Sequence, residues 1–102
     1  MTLEEYYKDS ESKSNKIYTI HYRKIEKDEV YILSVFIQPK YRKRGYLRRI
    51  FNTLCKETNS FLVFECYSDL VDLYKKIGAF TLKESINIGE LVEMYYDPLN
   101  LM

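Results

Sequence analysis

Six basic side chains crowd around one glycine between residues 40 and 49: Lys40, Arg42, Lys43, Arg44, Arg48 and Arg49 flank Gly45. The net charge of the whole 102-residue chain is only +1, so this concentration is local. From Gly45 onward, Leu47, Ile50, Phe51 and Leu54 recur at the i, i+3, i+4, i+7 spacing of one helix face, while Arg48, Arg49, Asn52 and Lys56 fall elsewhere. The first N–H groups of a helix have no internal acceptor and carry the positive end of its dipole. An anion is stabilised there, and a glycine lets backbone approach it closely. The segment 41–47 is therefore predicted to hold a phosphate group. Charge alone leaves three readings level: the phosphate of a nucleotide, a nucleic-acid backbone, or a plain solvated basic face.

The elements that must position this turn follow from periodicity. Residues 16–25 alternate, with Tyr18, Ile20 and Tyr22 on one face and Thr19, His21 and Arg23 on the other, which predicts a strand. Residues 30–37 are β-rich and nearly all apolar, predicting a strand buried on both faces and paired with the first as a hairpin. Gln38-Pro39 ends it. A helix from Gly45 to about Thr58 or Asn59 follows, then an apolar strand over 61–67. Ser68 is expected to cap a second helix with Asp69 in its first turn; Leu70, Leu73, Tyr74 and Ile77 give its buried stripe, and Gly78 ends it. Residues 80–83 and 91–96 are predicted as two last strands. Residues 1–15 are polar, with Leu3, Tyr6 and Tyr7 marking one short amphipathic turn and 10–15 a loop. The order β-β-α-β-α-β-β describes one α/β domain over 1–102. Its sheet is mixed and mostly antiparallel, with a central parallel β-α-β unit and a right-handed crossover.

Composition bounds the rest. No signal peptide or membrane-length apolar run is evident, so a cytoplasmic, reducing setting is expected, with Cys55 and Cys66 as core thiols. No metal site is expected.

Two blocks carry a family likeness. Arg42-Lys43-Arg44-Gly45-Tyr46-Leu47 resembles the Q/R-x-x-G-x-G/A signature of the GCN5-related N-acetyltransferase superfamily, and residues 35–41 are similar to its V-x-P-x-(Y/F/W)-R lead-in. Leu73-Tyr74-Lys75-Lys76-Ile77-Gly78-Ala79-Phe80 resembles the family's aYeklGF block with one extra residue, Ala79. One helix and one strand separate the blocks, as in the family.

The resemblance implies an acetyl-CoA-dependent N-acetyltransferase. The pyrophosphate of acetyl-CoA would lie on backbone N–H groups from Arg42 to Leu47: Arg42, Lys43, Arg44, Gly45, Tyr46 and Leu47. Leu47 stands where the family has Gly or Ala, which narrows the approach. Val35, Phe36 and Ile37 would pair with the pantetheine arm, on a strand splayed from its neighbour. Tyr74 matches a tyrosine that protonates the departing thiolate; a phenol with an ordinary pKa of about 10 suits that task. The glutamate some members carry about fourteen residues before the turn glycine is Tyr31 here. Glu29 and Glu65 are the substitute bases, with His21 a third candidate and bulk water a fourth. Glu65 is flanked by Phe64 and Cys66, and a carboxylate in such a run would be held protonated to higher pH. Tyr67 stands where the family frequently has Asn.

Only about fifteen residues precede the first predicted strand, so the family's N-terminal strand and helices are expected to be largely missing and the acceptor side open. That favours a protruding amine, such as a lysine on a protein, over a small amine. A homodimer through the C-terminal tyrosines is compatible with this reading, a membrane partner is not expected, and nucleic acid is disfavoured. Two other classes stay in view: a non-catalytic binding or inhibitor module on the same fold, and a nucleic-acid-binding protein using 40–49.

Overall fold

The computed structural model describes residues 2–102. In chain order the elements are α1 (Leu3–Tyr6), β1 (Glu11–Ser14), β2 (Tyr18–Glu26), β3 (Glu29–Ile37), α2 (Tyr46–Thr58), β4 (Phe61–Tyr67), α3 (Val71–Lys76) and β5 (Leu91–Tyr96). Short 3₁₀ turns at Pro39–Tyr41 and Ser68–Leu70 lead into α2 and α3. The five strands form one sheet in the order β1-β2-β3-β4-β5. Only β3 and β4 run parallel, with α2 as the crossover between them. The expected α/β class and mixed, mostly antiparallel sheet are what the chain forms.

One sheet face carries the core. Ile20, Tyr22, Val30, Ile32, Leu62, Phe64, Val92, Met94 and Tyr96 are buried there, and Ile50, Phe51, Leu54 and Cys55 of α2 close over them. Cys66 belongs to the same core, its Sγ 3.6 Å from Met94 Sδ. α2 begins after Gly45, whose φ of +78° only glycine adopts without strain, and ends at Asn59 in the left-handed region.

Five local expectations fail, each for a physical reason. Residues 10–15 are not all loop: Glu11–Ser14 pairs antiparallel with β2. An edge strand needs no apolar alternation, and the Asn15 side chain sets its register by accepting the N–H groups of Ile17 and Tyr18. The strand predicted over 80–83 shrinks to a single bridge between Phe80 and Tyr95. The Thr81 hydroxyl accepts the Lys83 N–H and turns the backbone away from the ladder. β3 is not buried on both faces: Val30 and Ile32 point into the core, but Phe36 is 49% exposed, because only one sheet face is packed by the long helix. In α3 the buried side is Val71, with Tyr74 and Ile77 partly covered, while Leu70 and Leu73 are exposed. Ser68 does not cap that helix; its hydroxyl accepts the N–H of Gly89 in the returning loop.

No helix among the described residues is long and apolar enough to cross a membrane.

Candidate active site

β3 pairs with β4 at only three positions, Glu29 with Phe61, Val30 with Leu62 and Tyr31 with Val63. Beyond Tyr31 the two strands diverge. Aromatic rings fill the base of the gap: Phe51 from α2, Phe64 from β4 and Tyr74 from α3, with centroid separations of 5.5 Å (Phe51–Phe64) and 4.7 Å (Phe64–Tyr74).

Two clefts meet there. One, of about 190 Å³, is lined by Ile32, Leu33, Ser34, Val35, Phe51, Phe64, Glu65 and Tyr74. Phe64 and Glu65 are consecutive in a strand, so their side chains point to opposite faces, and the cleft lies where the two strands part. The other, of about 230 Å³, is lined by Val35, Phe36, Ile37, Arg42, Leu47 and Tyr74. Val35 and Tyr74 line both. The strand before the basic turn, the turn itself and the tyrosine of the second sequence block are thus brought to one place.

The turn is built for close approach. Gly45 is the N-cap of α2, and no side chain caps the helix. A Cβ placed on Gly45 would meet nothing within 4 Å, so the space above the turn is open. Lys43 also takes a left-handed backbone, with φ 60°. Arg42 does not reach into that space: its Nε donates to the Ile37 carbonyl at 2.8 Å and its guanidinium lies over the Phe36 ring at 5.1 Å. Arg49 likewise lies over Tyr46. Lys40 lies over Tyr41 at 5.2 Å, so three of the six basic groups brace the turn. Leu47 packs partly against the core and faces the cleft instead of the turn's outer side.

Tyr74 is half-buried against Phe51 and Phe64. Burial first, then the neighbouring Cys66 thiol, push its phenol above the ordinary value of 10.0, so it keeps its proton across neutral pH.

The three base candidates separate. Glu65 lines the cleft. It is exposed in spite of its apolar flanks, because strand alternation sends it to the face away from Phe64 and Cys66. Its Oε1 accepts the Tyr31 hydroxyl at 2.9 Å. Glu29 lies at the closed end, opposite Phe61 and Glu26, and lines neither cleft. His21 packs against Tyr7, the ring centroids 4.7 Å apart and the planes tilted by 53°, outside both clefts. Tyr67, exposed at the end of β4, lines neither cleft either.

Side-chain spacing gave no warning of Phe51 and Phe64 as cleft residues, or of Tyr31 as the partner of Glu65, since aromatic residues on a strand or helix stripe read as core. Nor did it reveal the bulge at Leu33, where β2 passes from pairing Ser34 to pairing Ile32. The Leu33 carbonyl accepts the Tyr6 hydroxyl at 3.1 Å, and Ser34 Oγ accepts that of Tyr7 at 3.2 Å, so α1 rests beside the cleft.

No model of a protein family matches the sequence, and no curated protein is significantly similar to it. Solved structures do match. A Bacillus subtilis acetyltransferase in complex with CoA superposes with a TM-score of 0.67 at 14% identity, over 95% of this chain and 82% of that one. The chain has the GCN5-related N-acetyltransferase fold. The ribosomal-protein-S18-alanine N-acetyltransferase of Escherichia coli matches with a TM-score of 0.63 at 14% identity, over 87% of this chain and 69% of that one. Ard1 of Thermoplasma volcanium matches at 0.58 and 22% identity, over 78% of this chain. The match spans 61% of the length of that Ard1 protein. Within the GCN5-related N-acetyltransferase fold, the splay of β3 from β4 and the turn before α2 are the features the sequence blocks led one to expect.

Proposed function

We propose that this chain is an N-acetyltransferase that moves an acetyl group from acetyl-CoA to a primary amine, with a lysine side chain on a protein as the preferred acceptor class. The observation that carries the reading is a pair of adjoining clefts where β3 parts from β4, with Tyr74 lining both.

The open space over Gly45, the uncapped start of α2 and the surrounding basic side chains fit a pyrophosphate. Backbone N–H groups from Arg42 to Leu47 would hold it, and the unpaired edge of Val35, Phe36 and Ile37 would align the pantetheine arm. When bound, acetyl-CoA supplies an acyl carbon activated by its thioester, so that the C–N bond to the amine forms as the C–S bond breaks. Glu65, at the other end of the cleft, accepts the proton shed by the amine nitrogen. Tyr74 donates its phenolic proton to the departing sulfur; its raised pKa keeps that proton in place until charge develops. An exposed carboxylate at the mouth suits an amine on a long, protruding side chain better than one needing enclosure.

Two measurements test this. Saturating acetyl-CoA should raise the melting temperature, since a ligand at 100 times its Kd stabilises the native state by about 2.7 kcal/mol. Mass spectrometry should then find acetyl groups on lysine-bearing proteins in preference to polyamines and aminoglycosides. No shift removes the co-substrate. A shift without transfer to any acceptor assigns a binding module.

A further inference from the structure

We infer that Tyr31 is a positioning residue for Glu65, holding its carboxylate at the mouth of the cleft; the inference rests on the acetyl-transfer reading above.

Tyr31 is the last residue of β3 still paired with β4, so its side chain leaves the sheet at the vertex where the strands separate. Its hydroxyl crosses to Glu65 on β4 and donates to Oε1 at 2.9 Å. That bond spans the gap just past the last rung of the ladder. It engages Oε1, and Oε2 is the oxygen left to face an acceptor.

Glu65 needs such a holder. Directly opposite it on β5 stands Glu93, a like-charge cross-strand pair that is unfavourable unless the carboxylates are drawn apart. Two tyrosines draw them apart. Tyr95 donates to Glu93 on its own strand, while Tyr31 pulls Glu65 toward β3 and the cleft. No lysine or arginine competes for either carboxylate: the ion pairs among the described residues are Lys13–Glu57 and Lys83–Glu90. An exposed glutamate with one fixed oxygen has far fewer conformers than a free one, and pre-ordering a reacting group lowers the entropic part of a barrier.

The donor stays a donor. Burial, then the hydrogen bond to Glu65, raises the Tyr31 pKa strongly, with the charge of Glu65, Tyr6 of α1 and Glu93 of β5 adding to it. Two further charged neighbours are Glu29, two residues back on the same strand face, and Arg23, its cross-strand partner on β2, whose guanidinium is occupied by the carbonyls of Tyr6 and Lys8. Tyr31 thus holds its proton through the working range and orients Glu65 without exchanging a proton with it.

The test is a double-mutant cycle on the full chain with acetyl-CoA and the best acceptor. Glu65→Gln should lower kcat about a hundredfold, at the low end of general-base effects. Tyr31→Phe, which keeps the ring, should lower kcat about tenfold with KM for acetyl-CoA unchanged. Because Tyr31 acts through Glu65, the double variant should be no slower than Glu65→Gln alone. A turnover-independent arm follows the tyrosine resonances by NMR titration: Glu65→Gln should bring Tyr31 down toward the ordinary phenol range. Multiplicative losses in the double variant, an unchanged kcat in Tyr31→Phe, or a Tyr31 titration indifferent to Glu65→Gln would each overturn the assignment. If the wild type binds acetyl-CoA but transfers to no acceptor, the parent reading and this one fall together. That outcome differs from a transferring wild type in which Tyr31→Phe is silent, which removes only this one.

Discussion

Along its β2 side, β3 is paired from Glu29 to Ile37; along its β4 side, pairing stops at Tyr31. The same residues therefore serve as a zipped edge and as an open one. On the β2 side a two-residue turn joins antiparallel strands, and the ladder runs on through two register shifts, at Leu33 and at Ile25. On the β4 side the connection is a whole helix, and that helix brings Phe51, which stands with Phe64 and Tyr74 where the next rungs would be. The gap opens where these rings gather in the core. Backbone hydrogen-bonding capacity is the same on both edges, so ring volume is expected to hold the β4 edge open.

Removing the wedge is the severest way to break that contrast. Phe51 is wholly buried and packs on Phe64, Tyr74 and Tyr96. Phe51→Ala should cost about 3–5 kcal/mol, a large part of the stability of a domain this size. Urea denaturation measures it, and a loss below about 1 kcal/mol would show that the Phe51 ring is not a principal packing element of the core.

Tyr74→Phe sharpens the contrast without opening the core. The ring remains and only the hydroxyl leaves. Turnover should fall about a hundredfold, while the acetyl-CoA-induced rise in melting temperature stays as in the wild type. Equal loss of both would make Tyr74 a packing residue of the open edge and nothing more.

The floor beneath both edges responds to alkali. Burial first, then the charge of Asp97, push the Cys55 thiol from an ordinary 9.0 up to about 12. The folded value lies above the unfolded one, so the native state binds the proton more tightly. Its stabilisation is complete below about pH 9 and drains away as pH rises toward 12. The slope contributed by one group reaches about 1.4 kcal/mol per pH unit. Urea melts at pH 8, 9 and 10 should show stability falling mostly over the last step, and Cys55→Ala should reduce that fall, the Cys66 thiol, also raised first by burial and then by Asp69, keeping the rest. Tyr74 and Tyr96, also raised by burial, add to the loss at higher pH.

How much of this could be read in advance follows the same divide. The closed edge was legible, because alternation over Tyr18, Ile20 and Tyr22 and the apolar run from Val30 are local signals. The turn at Gly45 and the helix after it were legible too, from a change of period and a glycine at the change. The polar strand Glu11–Ser14 was not, because an edge strand is specified by its partner and not by its own side chains. The strand expected at 80–83 was over-read, since its propensity is real but Thr81 ties the backbone into a turn. At the site, Tyr74 and Glu65 could be nominated singly. Their convergence, the remoteness of Glu29 and His21, and the Tyr31–Glu65 bond depend on where two strands part, and that is a long-range feature no local pattern encodes.

Leu47 offers the finest adjustment of the open edge. It occupies the second position of α2, where the family signature resembled by this turn has a small residue, and it lines the cleft with Val35, Phe36, Ile37, Arg42 and Tyr74. Because it is only partly buried, Leu47→Ala should cost about 1 kcal/mol or less, well under the loss for a full core truncation. Alanine is also the better helix former, which offsets part of that cost. The shorter side chain widens the passage between the turn and Tyr74 without touching Gly45 or the start of the helix. Acetyl-CoA should then bind about threefold more tightly, read from the ligand dependence of the melting temperature or by calorimetry, with the zipped β2 edge unchanged in hydrogen exchange. Weaker binding would mean that Leu47 contacts the ligand productively, and the larger residue would then be a feature of this site and not an obstruction within it.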